Sequence, residues 1–341
     1  MTTETKFSVA LFGAGRIGHV HAKNIADHPL TQLKYVIDPN STAAQELARS
    51  YGAQVVAEDK ALEDASVDAI VVASATPTHA DLLERGLLAN KAVFCEKPID
   101  LSISRVNDCL SAVQGASAPL FLGFNRRFDP AVAEMKRRIT AGEIGDLELV
   151  TVVSKDPGAL PIEYLKVSGG MFRDMTIHDF DMARFILGEE IVSVTAMAST
   201  LTDESIMKIG DIDTAVVTMQ TATGRIAVIT NSRRASFGYD QRVEAHGSAG
   251  TLRTENVAIS NLVQETEAGV RREKPQFFFL ERYQQSYRNE WDHFVWVLAG
   301  QENPSPTGED GRRALLLAEA AYASWKSGRV SYVDYELEVA Q

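Results

Sequence analysis

Cysteine is nearly absent: Cys95 and Cys109 are the only two in 341 residues. Two thiols at this spacing match no metal-ligand or redox pattern and cannot frame a disulfide-stapled fold. The apolar run around Cys95 reads as core, and both thiols are expected to be reduced, as in a cytoplasmic protein. Long apolar runs are missing too, and a membrane helix needs about 20 such residues. The opening stretch Met1-Thr2-Thr3-Glu4-Thr5-Lys6 has neither the basic nor the apolar region of a secretory signal. A cytoplasmic location with no membrane partner is therefore expected. Positive charge is in deficit, with 34 Lys and Arg against 46 Asp and Glu, a net charge of -12. That balance argues against a nucleic-acid partner. Low-complexity tracts and solenoid repeats are absent. No ligand cluster with metal spacing is visible, so no metal is expected. The length suits two domains, each large enough for its own core.

What is present begins at Phe7–Phe12, a short buried strand that runs into Gly13-Ala14-Gly15-Arg16-Ile17-Gly18. A helical pattern follows through Ala26, then a strand Leu33–Ile37 ending at Asp38. Gly13 allows a tight turn, Gly15 lets the backbone approach a pyrophosphate, and Gly18 permits close helix–strand packing. The helix start offers N–H groups and a positive dipole end to phosphates. Asp38 lies 20 residues past Gly18, where the ribose-binding carboxylate of a dinucleotide site is expected. Pro39 has no N–H for a 2′-phosphate, and no arginine follows until Arg49. NAD is thus expected over NADP by about tenfold or more.

The alternation continues with a helix over 42–51, strands over 54–57 and 68–73, a helix over 78–89 and a strand over 92–95. Near-continuous apolar strands alternating with helices predict a parallel sheet covered on both faces, with ligands outside the carboxyl ends of its strands. Three segments belong there: the glycine loop with Arg16 and Ile17, the turn from Ala73 through Thr76 and Pro77 to His79, and Glu96-Lys97-Pro98. All are candidate cofactor contacts, the His79 turn by shaping the nicotinamide pocket.

From Phe124 the pattern changes. A helix over 131–140 and a strand over 147–154 lead through a long loop to Gly169–Asp181. Strands follow near 192–198, 214–221, 225–231, 242–245, 251–254 and 258–263, then helices around 286–298 and 311–327. The expected fold is α/β: an N-terminal Rossmann domain over 1–123, and over 124–341 an α+β domain with a large, mostly antiparallel sheet. Ile226 and Val228 alternate with Ala227 and Ile229, so both faces carry apolar residues. Helices cover only one face, which leaves the other as a candidate subunit interface.

Within Gly169-Gly170-Met171-Phe172-Arg173-Asp174-Met175-Thr176-Ile177-His178-Asp179-Phe180-Asp181, a continuous helix would set Asp174 and His178 one turn apart on one face. A carboxylate beside an imidazole can take a proton from a substrate hydroxyl near neutral pH. Lys97, at a strand end, can hydrogen-bond the reacting oxygen.

The glycine loop, Glu96-Lys97-Pro98, Phe124-Asn125-Arg126-Arg127-Phe128 and the Gly169–His178 segment, in this order, resemble the glucose–fructose oxidoreductases, inositol dehydrogenases and rhizopine catabolism proteins. The stretch from Ser168 to Arg184 is most similar to inositol 2-dehydrogenases. The resemblance implies Lys97, Asp174 and His178 as the catalytic set, NAD as cofactor, and a dimer or tetramer formed through the sheet. It carries Tyr239 over as a substrate contact, beside Asn125, Arg126 and Asp156 as polar candidates for a polyol. Arg126 and Asp156 are equally candidates for an ion pair with each other. The expected reaction is oxidation of a cyclic polyol, myo-inositol to its 2-keto product, with His178 as base, Lys97 polarising the oxygen, and Asp174 orienting substrate and tuning His178. Scyllo- or chiro-inositol or a pyranose sugar is the nearer alternative. A non-catalytic NAD-binding regulator is the remoter one, which the presence of Lys97 and His178 disfavours. An anionic substrate would need two convergent basic groups beside Lys97. Only Arg126 and Arg127 offer themselves, one of them expected to pair with Asp129 or Asp156.

Overall fold

Six short apolar runs build the first sheet: β1 (Phe7–Phe12), β2 (Thr31–Ile37), β3 (Gln54–Val55), β4 (Ala69–Val72), β5 (Ala92–Glu96) and β6 (Leu120–Gly123). The computed structural model describes residues 6–336. These strands are all parallel, in the order β3-β2-β1-β4-β5-β6. β4 and β5 are buried at every position because helices cover both faces, which is why they lack alternation. The intervening helices are α1 (Arg16–Asp27), α2 (Ser41–Tyr51), α3 (Glu58–Glu63), α4 (His79–Leu88) and α5 (Ile103–Ala112). α1 buries Gly18, His21, Ala22 and Ile25, the spacing of one helical face. The Asn40 side chain caps α2, and Gly52 ends it with a left-handed φ of +68°. Cys95 and Cys109 are both buried, and burial pushes both thiols up, Cys109 to about 12.

The second unit holds α6 (Pro130–Thr140), β7 (Leu147–Lys155), α7 (Ile162–Leu165), α8 (Met171–Asp174), α9 (Ile177–Leu187), β8 (Ile191–Ser199), α10 (Glu204–Lys208), β9 (Thr214–Thr221), β10 (Ile226–Ser232), β11 (Asp240–Gly247), β12 (Gly250–Arg253), β13 (Val263–Thr266), β14 (Gly269–Arg272) and α11 (Phe279–Arg282). Two long helices, α12 (Gln284–Leu298) and α13 (Gly308–Ser327), and the short β15 (Ser331–Tyr332) close the described chain. The large sheet runs β12-β11-β7-β10-β9-β8-β15. Every pair is antiparallel except β7 with β10. Along β9 and β10 burial alternates: Ala215, Val217, Met219, Ala227 and Ile229 face a core that includes Phe180, Ile186, Leu317 and Ala321.

A single cut at 123/124 misses how the chain returns. One compact unit runs to Asn125 and also takes in Tyr287–Arg313; the other comprises Arg126–Ser286 and the chain from Ala314 onward. The return follows from aromatic packing: Trp291 and Phe294 on α12 close on Phe94 of β5, with ring centroids 6.1 and 5.5 Å apart. The strand expected over 258–263 is corrected. Ala258 makes one isolated bridge to Pro275, while β13 and β14 form a separate hairpin. Gly269, at φ +126°, sets that turn. Both hairpin strands are exposed throughout, so no buried face fixed their position in the sequence pattern.

Candidate functional site

In the first unit the glycine loop is squeezed between neighbouring strands. Gly13 has φ +110°, and a Cβ there would lie 2.3 Å from the Ala73 carbonyl oxygen. A Cβ on Gly18 would lie 2.1 Å from the carbonyl oxygen of Gly13. A Cβ added at Gly15 would meet nothing within 4 Å beyond its own chain neighbours. The start of α1 has no side-chain cap, so its N–H groups face an open approach flanked by Arg16 and Ile17. At the end of β2, Asp38 accepts the Ala14 N–H through Oδ2 and the Asn40 N–H through Oδ1, both at 2.7 Å. The carboxylate is thus held at the strand end with lone pairs to spare for ribose hydroxyls. Open space at Gly15 and an anchored Asp38 fit the pyrophosphate and adenosine ribose of NAD.

Ala73, Thr76, Pro77 and Lys97 sit at or beyond the carboxyl ends of β4 and β5, as expected. His79 plays a narrower part. It is 2% exposed, with Nδ1 2.8 Å from the Pro98 carbonyl and Nε2 3.1 Å from that of Ser74. It ties two strand-end turns together rather than reaching toward a ligand. Glu96 turns inward to His21 at 2.7 Å, a pairing that no local motif signals. Asn125 is 3% exposed, and its buried Nδ2 finds no protein acceptor. A buried amide donor in that state suits a ligand oxygen.

In the second unit the parallel pairing of β7 with β10 decides where the polar groups meet. It aligns Ser232 with Lys155, while antiparallel β11 begins opposite at Asp240. Asp156, Arg233 and Tyr239 therefore emerge at one end of the sheet, and the Asp156 N–H donates to the Ser232 carbonyl at 2.9 Å.

The segment carrying Asp174 and His178 is not one regular helix. α8 ends at Asp174, α9 starts at Ile177, and the Thr176 N–H reaches back five residues to the Met171 carbonyl at 3.0 Å. Met175 and Thr176 keep right-handed φ and ψ, so the two helices join through a widened turn. The Thr176 hydroxyl donates to Asn231 Oδ1 at 2.8 Å and anchors that turn from β10. Asp174, 9% exposed, accepts a hydrogen bond from the Tyr164 hydroxyl at 2.8 Å and from Arg233 at 3.3 and 3.4 Å. Arg233 is 1% exposed and also lies 3.8 Å from Asp211. Arg233, Tyr164 and Asn231 were missed in the sequence because their partners depend on strand pairing and carry no local motif.

The arginine partners are also corrected. Arg126 donates to Asp179 at 2.6 Å and reaches the Tyr239 hydroxyl at 3.4 Å, rather than pairing with Asp156. Arg127 is bidentate to Asp181. Asp129 pairs with Arg282 instead. Asp179 and Asp181, two residues apart on α9, point to different sides of the helix, and each draws one guanidinium group inward.

Burial raises Asp156 to about 7. Arg233 and Arg126 pull it down, and Asp174 and Asp179 push it up. Its surface is partly open, yet protein atoms crowd it closely enough for desolvation to win. Near neutrality this carboxyl can either donate to or accept from a hydroxyl. The folded state binds its proton more tightly than the unfolded chain, so stability is lost as pH rises from about 4 to about 7. Asp156→Asn should remove that loss, with a gain over wild type near pH 8 of up to about 4 kcal/mol and none near pH 3. Urea titrations at both pH values check this, and equal gains at both would refute it.

Comparison with known proteins agrees with both halves. Residues 7–124 match the oxidoreductase family with an NAD-binding Rossmann fold, and residues 132–253 match the GFO/IDH/MocA C-terminal domain. The chain is 48% identical over 314 residues to the inositol 2-dehydrogenase of Rhizobium meliloti (strain 1021), covering 92% of this chain and 95% of that protein. A crystal structure of a myo-inositol dehydrogenase from Corynebacterium glutamicum superposes with a TM-score of 0.93 at 42% identity, covering 96% of this chain and 99% of that one. The scyllo-inositol dehydrogenase of Lactobacillus casei, solved with NAD(H) and scyllo-inositol bound, gives 0.89 at 29% identity, covering 97% and 99%. With an NAD-binding Rossmann half and the matching C-terminal half, the chain belongs to the GFO/IDH/MocA family of oxidoreductases.

Proposed function

We propose that this oxidoreductase uses NAD to oxidise a neutral cyclic polyol, with myo-inositol, converted to its 2-keto product, as the preferred substrate. The observation that carries the reading is the state of the buried arginines. Arg126, Arg127, Arg233 and Arg282 each face a carboxylate: Asp179, Asp181, Asp174 and Asp129. A substrate anion would have to compete for guanidinium groups already matched inside the protein. What the second unit offers instead is a set of hydroxyl-matching groups: Asp156, Asp174, Tyr239 and the imidazole of His178. Such a set suits a ring that presents hydroxyls on every side.

In this reading His178 removes the proton of the reacting hydroxyl. Lys97 donates a hydrogen bond to the same oxygen and stabilises the charge left on it. Asp174, fixed by Tyr164 and Arg233, accepts from a neighbouring hydroxyl and orients the ring. Asn125, Asp156 and Tyr239 complete the binding contacts, while Arg126 acts through Tyr239. When bound at the glycine loop and Asp38, the nicotinamide cofactor supplies the acceptor for the carbon's hydride. The exposed face of the large sheet carries Met197, Val216 and Ile226, 77%, 45% and 42% exposed, and we assign it to a contact between copies of the chain in a dimer or tetramer. A cytoplasmic setting suits the two buried reduced thiols.

The test compares kcat/KM for myo-, scyllo- and chiro-inositol, glucose and gluconate, each with NAD and NADP. Turnover should be highest with the inositols, myo-inositol leading, and lowest with gluconate. NAD should exceed NADP by about tenfold or more. Turnover of glucose or gluconate without myo-inositol would overturn the substrate assignment, and equal use of the two cofactors would overturn the role of Asp38.

A further inference from the structure

Beneath the Lys97 turn lies a buried acidic group that the reaction as described does not use. Glu290, on α12, is 0% exposed, and neither of its carboxyl oxygens has a hydrogen-bond partner in the protein. Its surroundings are aromatic. Trp291 and Phe294, one and four residues after it, pack on Phe94, which in turn stacks on Phe121 at 5.0 Å. Two further titratable side chains share this box. Glu96 closes β5 and is 9% exposed; His21 on α1 is 1% exposed and bonds Glu96 at 2.7 Å. The His21 ring lies edge-on to Phe94 at 4.8 Å and to Tyr287 of α12 at 6.1 Å.

An ionised carboxylate with no partner in such a box would cost several kcal/mol. Burial and the neighbouring Glu96 both hold Glu290 well above the ordinary carboxyl range, so it retains its proton near neutrality. A leucine would fill the space at lower cost to folding. The second oxygen of Glu96 looks toward β6, where a Cβ on Gly123 would lie 3.1 Å away. Glu96 is thus confined by His21 on one side and β6 on the other, one residue before Lys97.

We propose that Glu290 is a positioning residue of the dehydrogenase. Packed beside the Glu96–His21 pair, it fixes the strand end from which Lys97 projects. The proposal rests on the reading of Lys97 as the group that stabilises the reacting oxygen. The groups that titrate around Glu290 are Glu96 on β5, His21 on α1 and Tyr287 on its own helix. Ionising Glu290 at alkaline pH would place an unpartnered charge beside Glu96 and disturb that strand end. Activity should then fall on the alkaline side through a group belonging to this box.

The test uses the full-length enzyme carrying Glu290→Gln or Glu290→Leu, with Lys97→Met as a control. Glu290→Gln is expected to fold, melt at or above the wild-type temperature, and keep the wild-type KM for myo-inositol. Its kcat should drop by about tenfold or less, as befits a residue acting at one remove. The alkaline limb of its kcat profile should lose the wild-type ionisation. Glu290→Leu should be more stable still and slower still. NAD binding, followed by quenching of tryptophan fluorescence, should change less than twofold in both. Wild-type kcat and an unchanged pH profile in folded Glu290→Gln would overturn the proposal. So would a parallel loss of stability and activity in both variants, which would mark a purely structural residue. If Lys97→Met turns over normally, the reading of Lys97 itself fails, whatever the Glu290 variants do.

Discussion

His178→Ala is expected to lower kcat by about a hundredfold or more, the usual contribution of a general base. The imidazole stands in the first turn of α9 and is partly exposed, whereas Ile177 and Asp179 on either side of it are buried. A side chain in that position can be removed without opening the core, so the melting temperature should move by only a few degrees. NAD affinity should change little, because the glycine loop and Asp38 belong to the first unit. The measurement is steady-state NADH formation with myo-inositol beside cofactor binding by fluorescence. Hydroxide can stand in part for a missing base, so the residual rate of the variant should rise steadily with pH. Near-normal turnover at neutral pH would move the base to another group, with Lys97 the first candidate and Asp156 the second.

Much of the first unit could be read from sequence because its signals are local. Gly13, Gly15 and Gly18 are each required or permitted by backbone geometry within a few residues, and Asp38 follows at the distance one helix and one strand impose. The alternation of β9 was equally legible, since one face meets the helices and the other does not. What escaped were features set by partners distant in sequence. The parallel pairing of β7 with β10 joins strands some seventy residues apart and sets Arg233 beside Asp156, and the packing of α8 adds Asp174. The return of α12 to Phe94 is of the same kind, and so is the burial of Glu290 beside Glu96. The widened turn between α8 and α9 was hidden for another reason. Helical periodicity continues through it, and only the long reach of the Thr176 N–H to Met171 reveals the extra residue.

Arg233 carries the other large expected effect. Its guanidinium is buried with Asp174 3.3 Å away and Asp211 3.8 Å away, and Asp211 in turn accepts the Met171 N–H at the start of α8. Removing the cation leaves two carboxylates facing each other with little solvent to screen them. Arg233→Met should therefore cost about 3–5 kcal/mol of stability, the usual penalty for breaking a buried pair from one side. Arg233→Lys should recover part of that loss, since it keeps the charge but cannot reach both carboxylates as a planar fork. Its kcat should still lie well below wild type, because an ammonium would orient Asp174 less firmly than the guanidinium fork does. The double variant Arg233→Met with Asp174→Asn separates charge from shape. It should be more stable than Arg233→Met, as one uncompensated carboxylate is gone, yet show no recovery of turnover. Urea unfolding followed by tryptophan fluorescence, with kcat measured on the same preparations, provides both numbers. A double variant no more stable than the single one would mean that the cost of losing Arg233 lies in packing, and the electrostatic account of the Asp174 wall would have to be abandoned.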